Sequence, residues 1–430
     1  PPPTIITSKF TSSFGIIFVS IFFSQKLLAL FDTISELIPI NKRFQRGNTN
    51  FKTSANLMLM AVASNANNSK KHRIIGAGLS GLSAAINFAK NDEKVVIHES
   101  REDVGMQFHP NYQVLLQESP DTPSSEAGAK QYLNRWGLNP KFTFKDAKKF
   151  ICSTEKRDFT ISLKEPLPLI LRGGENSLER GLANEAKDLG VEFKFKSRPK
   201  PKAGDILSTG PKRTDMVAFG AYYENSDFPR DQFLYMHDEK YSPRGWYLYV
   251  IPMDDDTIKI MNCCSKPYAK QVRKLLYKAV EERDILRNIV DGAKPTGTVG
   301  GQGGVDFPKT AIKDGVYHTG EAAGFQDPWR GFGMNYAIES GALAQRAISE
   351  SLDYDKLWKK QFHQRKKADI ARRGIFALLG NRAFEYGMRK VKDGDEVDWE
   401  EINPSGWKKS LIYNTFYSME MAKKTMWDSW

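Results

Sequence analysis

Residues 72–100, HRIIGAGLSGLSAAINFAKNDEKVVIHES, constrain this chain more than any other stretch. A short β-prone run, Arg73 to Ile75, enters three glycines, Gly76, Gly78 and Gly81, in a G-x-G-x-x-G spacing. Leu79, Leu82, Ala85, Ile86 and Phe88 then give an apolar helix surface, and Val95 to His98 a second strand. Glu99 follows 18 residues after Gly81. Each part has a physical task. Gly76 permits a tight turn, Gly78 lets backbone approach a pyrophosphate, and Gly81 allows close helix–strand packing. The helix start offers free amides and its positive dipole end to phosphate. Glu99 stands where an acid binds ribose hydroxyls, which argues against selection of the phosphorylated ribose of NADP. The unit predicts dinucleotide binding without choosing between NAD and FAD; a glycine-rich structural turn is the alternative.

The 430 residues suffice for two domains or one large one. Residues 1–69 are set aside as an N-terminal extension. Within them the run 14–23, FGIIFVSIFF, and the run 27–31 are apolar but broken at Lys26, against roughly 20 apolar residues for a simple membrane span. A signal, an anchor and an uninformative extension all fit; residues 45–71 read as a polar linker. Cys152, Cys263 and Cys264 have neither a disulfide framework nor zinc-site spacing. The net charge of +12 gathers at 194–202 and 359–373. Nucleic acid, an anionic membrane or a phosphorylated small molecule could each use it. No zinc finger or RNA-binding motif accompanies it, which disfavours nucleic acid; a solvated basic face is the plain alternative.

In the middle of the chain, residues 172–190 read RGGENSLERGLANEAKDLG. Asn176 or Ser177 can start a helix whose apolar side is Leu178, Leu182, Ala186 and Leu189, and Gly190 ends it. Val191, Phe193 and Phe195 alternate as a strand, and residues 205–210, DILSTG, form another strand and turn. Arg172 is a candidate cofactor contact, although an arginine beside a glycine pair is commonly a solvated surface residue. The aromatic runs 218–223, 233–236 and 246–251, with 257–261, predict antiparallel strands. Tyr223, Tyr235, Trp246 and Tyr249 could wall an apolar cavity there or simply pack a core. His237 and His318 are proton-transfer candidates by residue type alone. GGQGG at 300–304 reads as a flexible or cofactor-proximal turn, because no second βαβ unit follows it.

A second informative region is 315–348. Val316 to Thr319 can be a strand that delivers Gly320 and Glu321 to the cofactor, and Ala322, Ala323 and Gly324 keep the next turn small. Pro328, Gly331 and Gly333 shape another close approach before a helix with Asn335, Ala337, Ser340 and Gly341. By residue type this is a second phosphate loop or a tightly packed turn.

Together these motifs resemble the geranylgeranyl reductase family, within the p-hydroxybenzoate-hydroxylase-like FAD-dependent oxidoreductases. The resemblance covers most of 70–351 and is strongest at its ends. It implies FAD bound by Gly76, Gly78, Gly81 and Glu99, with Arg172 nearby. A later GDAAG-like motif falls on Gly320, Glu321, Ala322, Ala323 and Gly324, and the match continues through Gly331, Gly333 and Asn335. Glu321 replaces the usual aspartate, and the family's cysteine-containing segment is not recognisable in 105–112. The halogenase WxWxIP segment is absent, whereas 246–252, WYLYVIP, is similar to the reductases' aromatic strand ending in proline.

The implied fold class is α/β. A Rossmann-like FAD-binding domain, in segments 70–106, 166–212 and 296–351, carries an inserted mixed or antiparallel β-sheet substrate domain. The substrate part comprises 107–165 and 213–295, and 352–430 is a basic, aromatic, helical C-terminal cap. The implied activity is reduction of alkene bonds in an isoprenoid or other long apolar lipid by flavin hydride. An FAD-dependent monooxygenase of an aromatic or apolar substrate and a noncatalytic flavin-bound membrane or redox-partner module are the alternatives. NADPH or an electron-donor protein would supply electrons. Basic and apolar residues in the cap suggest an anionic membrane surface as partner and a peripheral membrane location.

Overall fold

The computed structural model describes residues 71–115, 126–253, 256–398 and 418. The apolar runs before residue 32, and the aromatic residues Trp399, Trp407, Tyr413, Phe416, Tyr417, Trp427 and Trp430, lie outside them.

His72–Ile75 forms β1, Leu79–Lys90 α1 and Val95–His98 β2, as the glycine spacing and apolar periodicity predict. Leu82, Ala85, Ile86 and Phe88 are wholly buried on α1. Asn111–Val114 (β3) and Glu126–Arg135 (α2) follow, then the long hairpin strands Phe144–Thr154 (β4) and Asp158–Arg172 (β5). Leu178–Asp188 (α3) starts on Ser177, whose hydroxyl accepts the Arg180 amide at 3.3 Å, satisfying one of the amides that every helix start leaves free. Glu192–Lys194 (β6) and Ile206–Leu207 (β7) come next.

Four strands then run Met216–Glu224 (β8), Gln232–His237 (β9), Leu248–Pro252 (β10) and Ile258–Ser265 (β11). Helices Val272–Glu282 (α4) and Asp284–Val290 (α5) precede strands Lys294–Gly303 (β12), Ile312–Lys313 (β13) and Val316–His318 (β14). Met334–Ser349 (α6), Tyr354–Leu379 (α7), Asn381–Gly387 (α8) and Glu396–Val397 (β15) complete the described elements.

The strands form two sheets. The first has the order β13-β14-β7-β1-β2-β6 and is parallel except at its edge strand β13. Its helices α1, α2, α3, α6 and α7 share one apolar core with it. Where α1 and α6 cross, a Cβ at Gly341 would stand 2.1 Å from the Ser80 carbonyl oxygen, so glycine there sets how closely the two helices pack. The second sheet has the order β12-β8-β11-β10-β9-β4-β5-β15, with β3 also on β5. It is mixed: β4 with β9 and β5 with β15 are parallel, and the other pairs antiparallel. One face packs on Leu276, Ala279 and Leu286 of α4 and α5. The fold is thus a Rossmann-like α/β domain with an inserted mixed sheet and a helical C-terminal region.

Two sequence expectations are corrected. GGQGG is no turn: β12 runs through Gly303, paired with β8 from Lys294↔Glu224 to Gly303↔Met216. Glycine is a poor strand former, so only pairing with β8 makes this segment extended. The basic run 359–373 lies in α7 and turns several of its cations inward. Lys366 is wholly buried, Arg365 pairs with Glu339 at 3.0 Å and Arg372 with Asp369 at 3.0 Å. Arg373 donates to the carbonyls of Trp329, Arg244 and Gly245. A charge count carries no direction, so the sequence could not separate these paired cations from the solvated basic face that is its plain alternative. No described helix is long and apolar enough to cross a membrane.

Candidate functional site

The carboxyl ends of β1 and β7 and the start of α1 frame a groove. Gly76 turns the chain there at φ 106°, and a Cβ on it would stand 2.4 Å from the Ser208 carbonyl oxygen. Gly81 packs directly beneath, where a Cβ would come 2.1 Å from the Gly76 oxygen. The first amides of α1 consequently open on the groove beside Gly78. At the end of β2, Glu99 accepts the Ala77 amide at 2.9 Å on one oxygen and the Arg101 amide at 3.0 Å on the other. These bonds fix the carboxylate at the groove wall. The donor set and the space left by missing side chains fit a dinucleotide: amides for a pyrophosphate, a carboxylate for ribose hydroxyls.

The opposite wall comes from the end of β14. Gly320–Ala323 is a single 3-10 turn, closed by Gly324 at φ 79°. Ser340 on α6 accepts the Gly320 amide at 2.8 Å, and the hydroxyls of Ser208 and Thr319 bond at 2.7 Å. Lys366 of α7 donates to the carbonyls of Gly324 and Gln326, each at 2.8 Å. Asp327 then organises the next loop by accepting the amides of Trp329 at 2.8 Å and Arg330 at 3.1 Å. Glu321 borders the groove and accepts a bond from Gln326. Burial pushes its carboxyl up to about 7, against the opposing pull of Gln326, Arg172 and Lys366.

Arg172, the last residue of β5, is buried beside Glu179 of α3, to which it donates. It also donates to Gln113 at 2.9 Å and lies 4.4 Å from the ring centre of Phe108. Arg172 therefore occupies the groove as an ordered, paired cation and not as a solvated surface group.

A single cavity of about 1120 Å³ joins this groove to the face of the mixed sheet turned away from α4 and α5. Tyr235, Tyr247 and Tyr249 line that half, with Phe376 of α7 and Phe384 of α8 closing over them. Tyr235 stacks on Tyr247 at 4.8 Å and on Phe384 at 5.6 Å. Burial raises the hydroxyl pKa values of all three tyrosines, and burial pushes the Cys263 thiol up to about 12. The described residues bordering this half are thus apolar or neutral apart from Arg330, which lies 3.9 Å from the Trp329 ring centre.

Gly76, Gly78, Glu99, Arg172, Gly320, Glu321, Gly331 and Gly333 all border the cavity. Gly81, Ala323, Gly324 and Asn335 do not border it; the Asn335 side-chain nitrogen is buried without a hydrogen-bond partner. Tyr235, Trp246 and Tyr249 line the sheet half, while Tyr223 falls on the opposite face of β8 and packs towards α4 and α5. His237 is buried against Phe384 and Phe376, and burial, then the Arg373 charge, lower it to about 4. His318 lies 3.2 Å from the Lys212 nitrogen, with its pKa lowered by burial and by that charge. Neither histidine borders the cavity. Sequence reasoning missed Lys366, Asp327 and the aromatic lid of α7 and α8. Only Asp327, an acid beside a proline in a loop, carried a local signal.

A family model described as an NAD(P)-binding Rossmann-like domain matches residues 74–119. Digeranylgeranylglycerophospholipid reductase 2 of Methanosphaera stadtmanae is 27% identical over 185 residues, covering 39% of this chain and 44% of the relative. The chain thus spans less than half the length of that curated relative. Among solved structures, a geranylgeranyl bacteriochlorophyll reductase-like protein from Thermoplasma acidophilum superposes with a TM-score of 0.61 at 17% identity. That superposition covers 81% of this chain and 100% of the other. A flavin-dependent brominase superposes at 0.54 with 18% identity, covering 75% and 91%. The myxobacterial chondrochloren halogenase superposes at 0.51 with 13% identity, covering 82% and 96%. The chain therefore has the Rossmann-like fold shared by flavin-dependent reductases and halogenases.

Proposed function

We propose that the protein is an FAD-dependent oxidoreductase that oxygenates an apolar or aromatic molecule held against the mixed sheet. The observation that carries this reading is one cavity joining a dinucleotide cradle to an aromatic wall. The α1 amides would hold the pyrophosphate and Glu99 the ribose, while Arg172 and the 320–326 turn would orient the ring system. Bound FAD supplies two-electron chemistry and, once reduced, reactivity towards oxygen. Phe376 and Phe384 would shield the reacting centre from water. Electrons would come from NADPH or an electron-donor protein.

Reduction of an alkene needs, besides hydride, an acid that puts a proton on carbon. The described residues bordering the sheet half offer tyrosines and a thiol with raised pKa values, and an arginine. Glu321, whose carboxyl is pushed up to about 7, borders the cofactor groove of the same cavity and not the sheet half, an arrangement that favours oxygen chemistry. Alkene reduction of an isoprenoid or another long apolar lipid is the second reading, favoured by the sequence match to a lipid reductase. The test is to load FAD, reduce it chemically without oxygen and add apolar substrates. Product formed only after oxygen is admitted, with labelled oxygen incorporated, is the expected result. Anaerobic reoxidation coupled to a saturated product would replace it with the reductase reading.

The exposed Leu378, Leu379 and Tyr386, beside exposed Arg382, Arg389 and Lys390, support peripheral contact with an anionic membrane. Co-sedimentation with anionic vesicles, lost on Leu378→Asp with Leu379→Asp, is the outcome that reading requires.

A further inference from the structure

Alternate residues of a strand share a face, so β11 places Lys259, Met261 and Cys263 on the side of the sheet that walls the cavity. Met261 and Cys263 border the cavity itself. Lys259 lies one step further along, opposite Ile251 of β10 and Tyr222 of β8. Its side chain is 2% exposed. The ammonium donates to Asn111 Oδ1 at 3.1 Å and to the Tyr112 carbonyl at 3.3 Å. It lies 5.7 Å from the ring centre of Tyr249, which lines the cavity.

Among the described residues no carboxylate pairs with it. Both of its acceptors are neutral, and an ammonium has three protons to donate. A buried charge of this kind is costly unless it is paired. Burial accordingly draws Lys259 down to about 7, and only the Cys263 thiol pulls the other way. On the adjoining strand and the same face, the Tyr222 hydroxyl is buried and has no hydrogen-bond partner. Lys259 and Tyr222 are directly opposed across the β8–β11 pair, where Cβ atoms lie about 5 Å apart. An ammonium and a hydroxyl together call for an oxyanion, and the aromatic wall beside them calls for an apolar body.

We propose that Lys259, with Tyr222 beside it, receives the carboxylate of an apolar acid whose body lies along the aromatic wall of the cavity. This rests on the reading of that cavity as the substrate site. It narrows the substrate from any apolar molecule to an anionic amphiphile.

Cis-parinaric acid and its methyl ester, which differ only in the head group, make the test. Each is titrated by its fluorescence change into the full chain. Wild type is expected to bind the acid at least about tenfold more tightly than the ester, as a charge-assisted hydrogen bond would require. Lys259→Met should bring the two affinities together, Tyr222→Phe should narrow the gap, and Lys259→Arg should keep most of it. Equal binding of acid and ester by wild type overturns the proposal, and so does a preference that survives in Lys259→Met. Binding of neither probe also overturns it. The acid–ester ratio is read with or without bound FAD, so a failure to take up FAD counts against the oxidoreductase reading and not against this one.

Discussion

Replacing Glu321 with glutamine should make the flavin-free protein more stable, and only above mildly acidic pH. The carboxyl is drawn into the fold beside the groove, and its pKa rises from 4.5 to about 7, chiefly through burial. Between those values the folded state holds a proton that the unfolded chain releases. Stability therefore falls as pH rises through this window, and the loss is complete above the folded value. A rise of that size corresponds to roughly 3 kcal/mol. Water standing in the groove would reduce it towards about 2 kcal/mol. Glutamine keeps the shape and a bond to Gln326 but has no charge to desolvate. Urea unfolding of wild type and Glu321→Gln near pH 5 and near pH 8 isolates the effect, because other titrations cancel in the difference. The variant should be ahead by less than about 1 kcal/mol near pH 5, and by about 2–3 kcal/mol near pH 8. A difference that does not change with pH, or a variant less stable near pH 8, would refute the reasoning.

Two further outcomes follow from the same groove. Gly81→Ala places a methyl group 2.1 Å from the Gly76 oxygen; overpacking of this kind costs about 1–3 kcal/mol. Because it opens the turn that presents the α1 amides, FAD affinity measured by flavin fluorescence should fall at least about tenfold, and unchanged affinity would remove the groove as the pyrophosphate site. Arg172→Met strands the buried Glu179 carboxylate and should cost about 3–5 kcal/mol in urea unfolding. Adding Glu179→Gln should recover much of that loss; a single variant as stable as wild type would show that the pair carries no such coupling.

The β1–α1–β2 unit was legible because its signals are local. Three glycines, an apolar stripe and a terminal acid each act within one turn of where they stand. Ser177 and the strands β8 to β11 were legible for the same reason: caps and alternation are short-range. What stayed hidden depends on partners distant in sequence. Glycine-rich β12 is extended only because β8 pairs with it. Lys366 reads as one of many surface cations until α7 turns it onto the Gly324 and Gln326 carbonyls. Asn335, placed at the cofactor by resemblance, does not border the cavity, and its buried side-chain nitrogen has no hydrogen-bond partner. Tyr223 and Tyr222 differ by one residue, and only the register of β8 puts one against α4 and α5 and the other on the cavity side.

The glycines of β12 have a bearing on how such a protein could diversify. Gly301 borders the cavity on an edge strand, and a Cβ there would meet nothing within 4 Å. Most positions that shape a binding site are also core positions, where every change must be absorbed by neighbours. Here a side chain can be introduced into the wall without displacing any other. Selection could therefore redraw the substrate outline at this position while folding and cofactor geometry stay as they are.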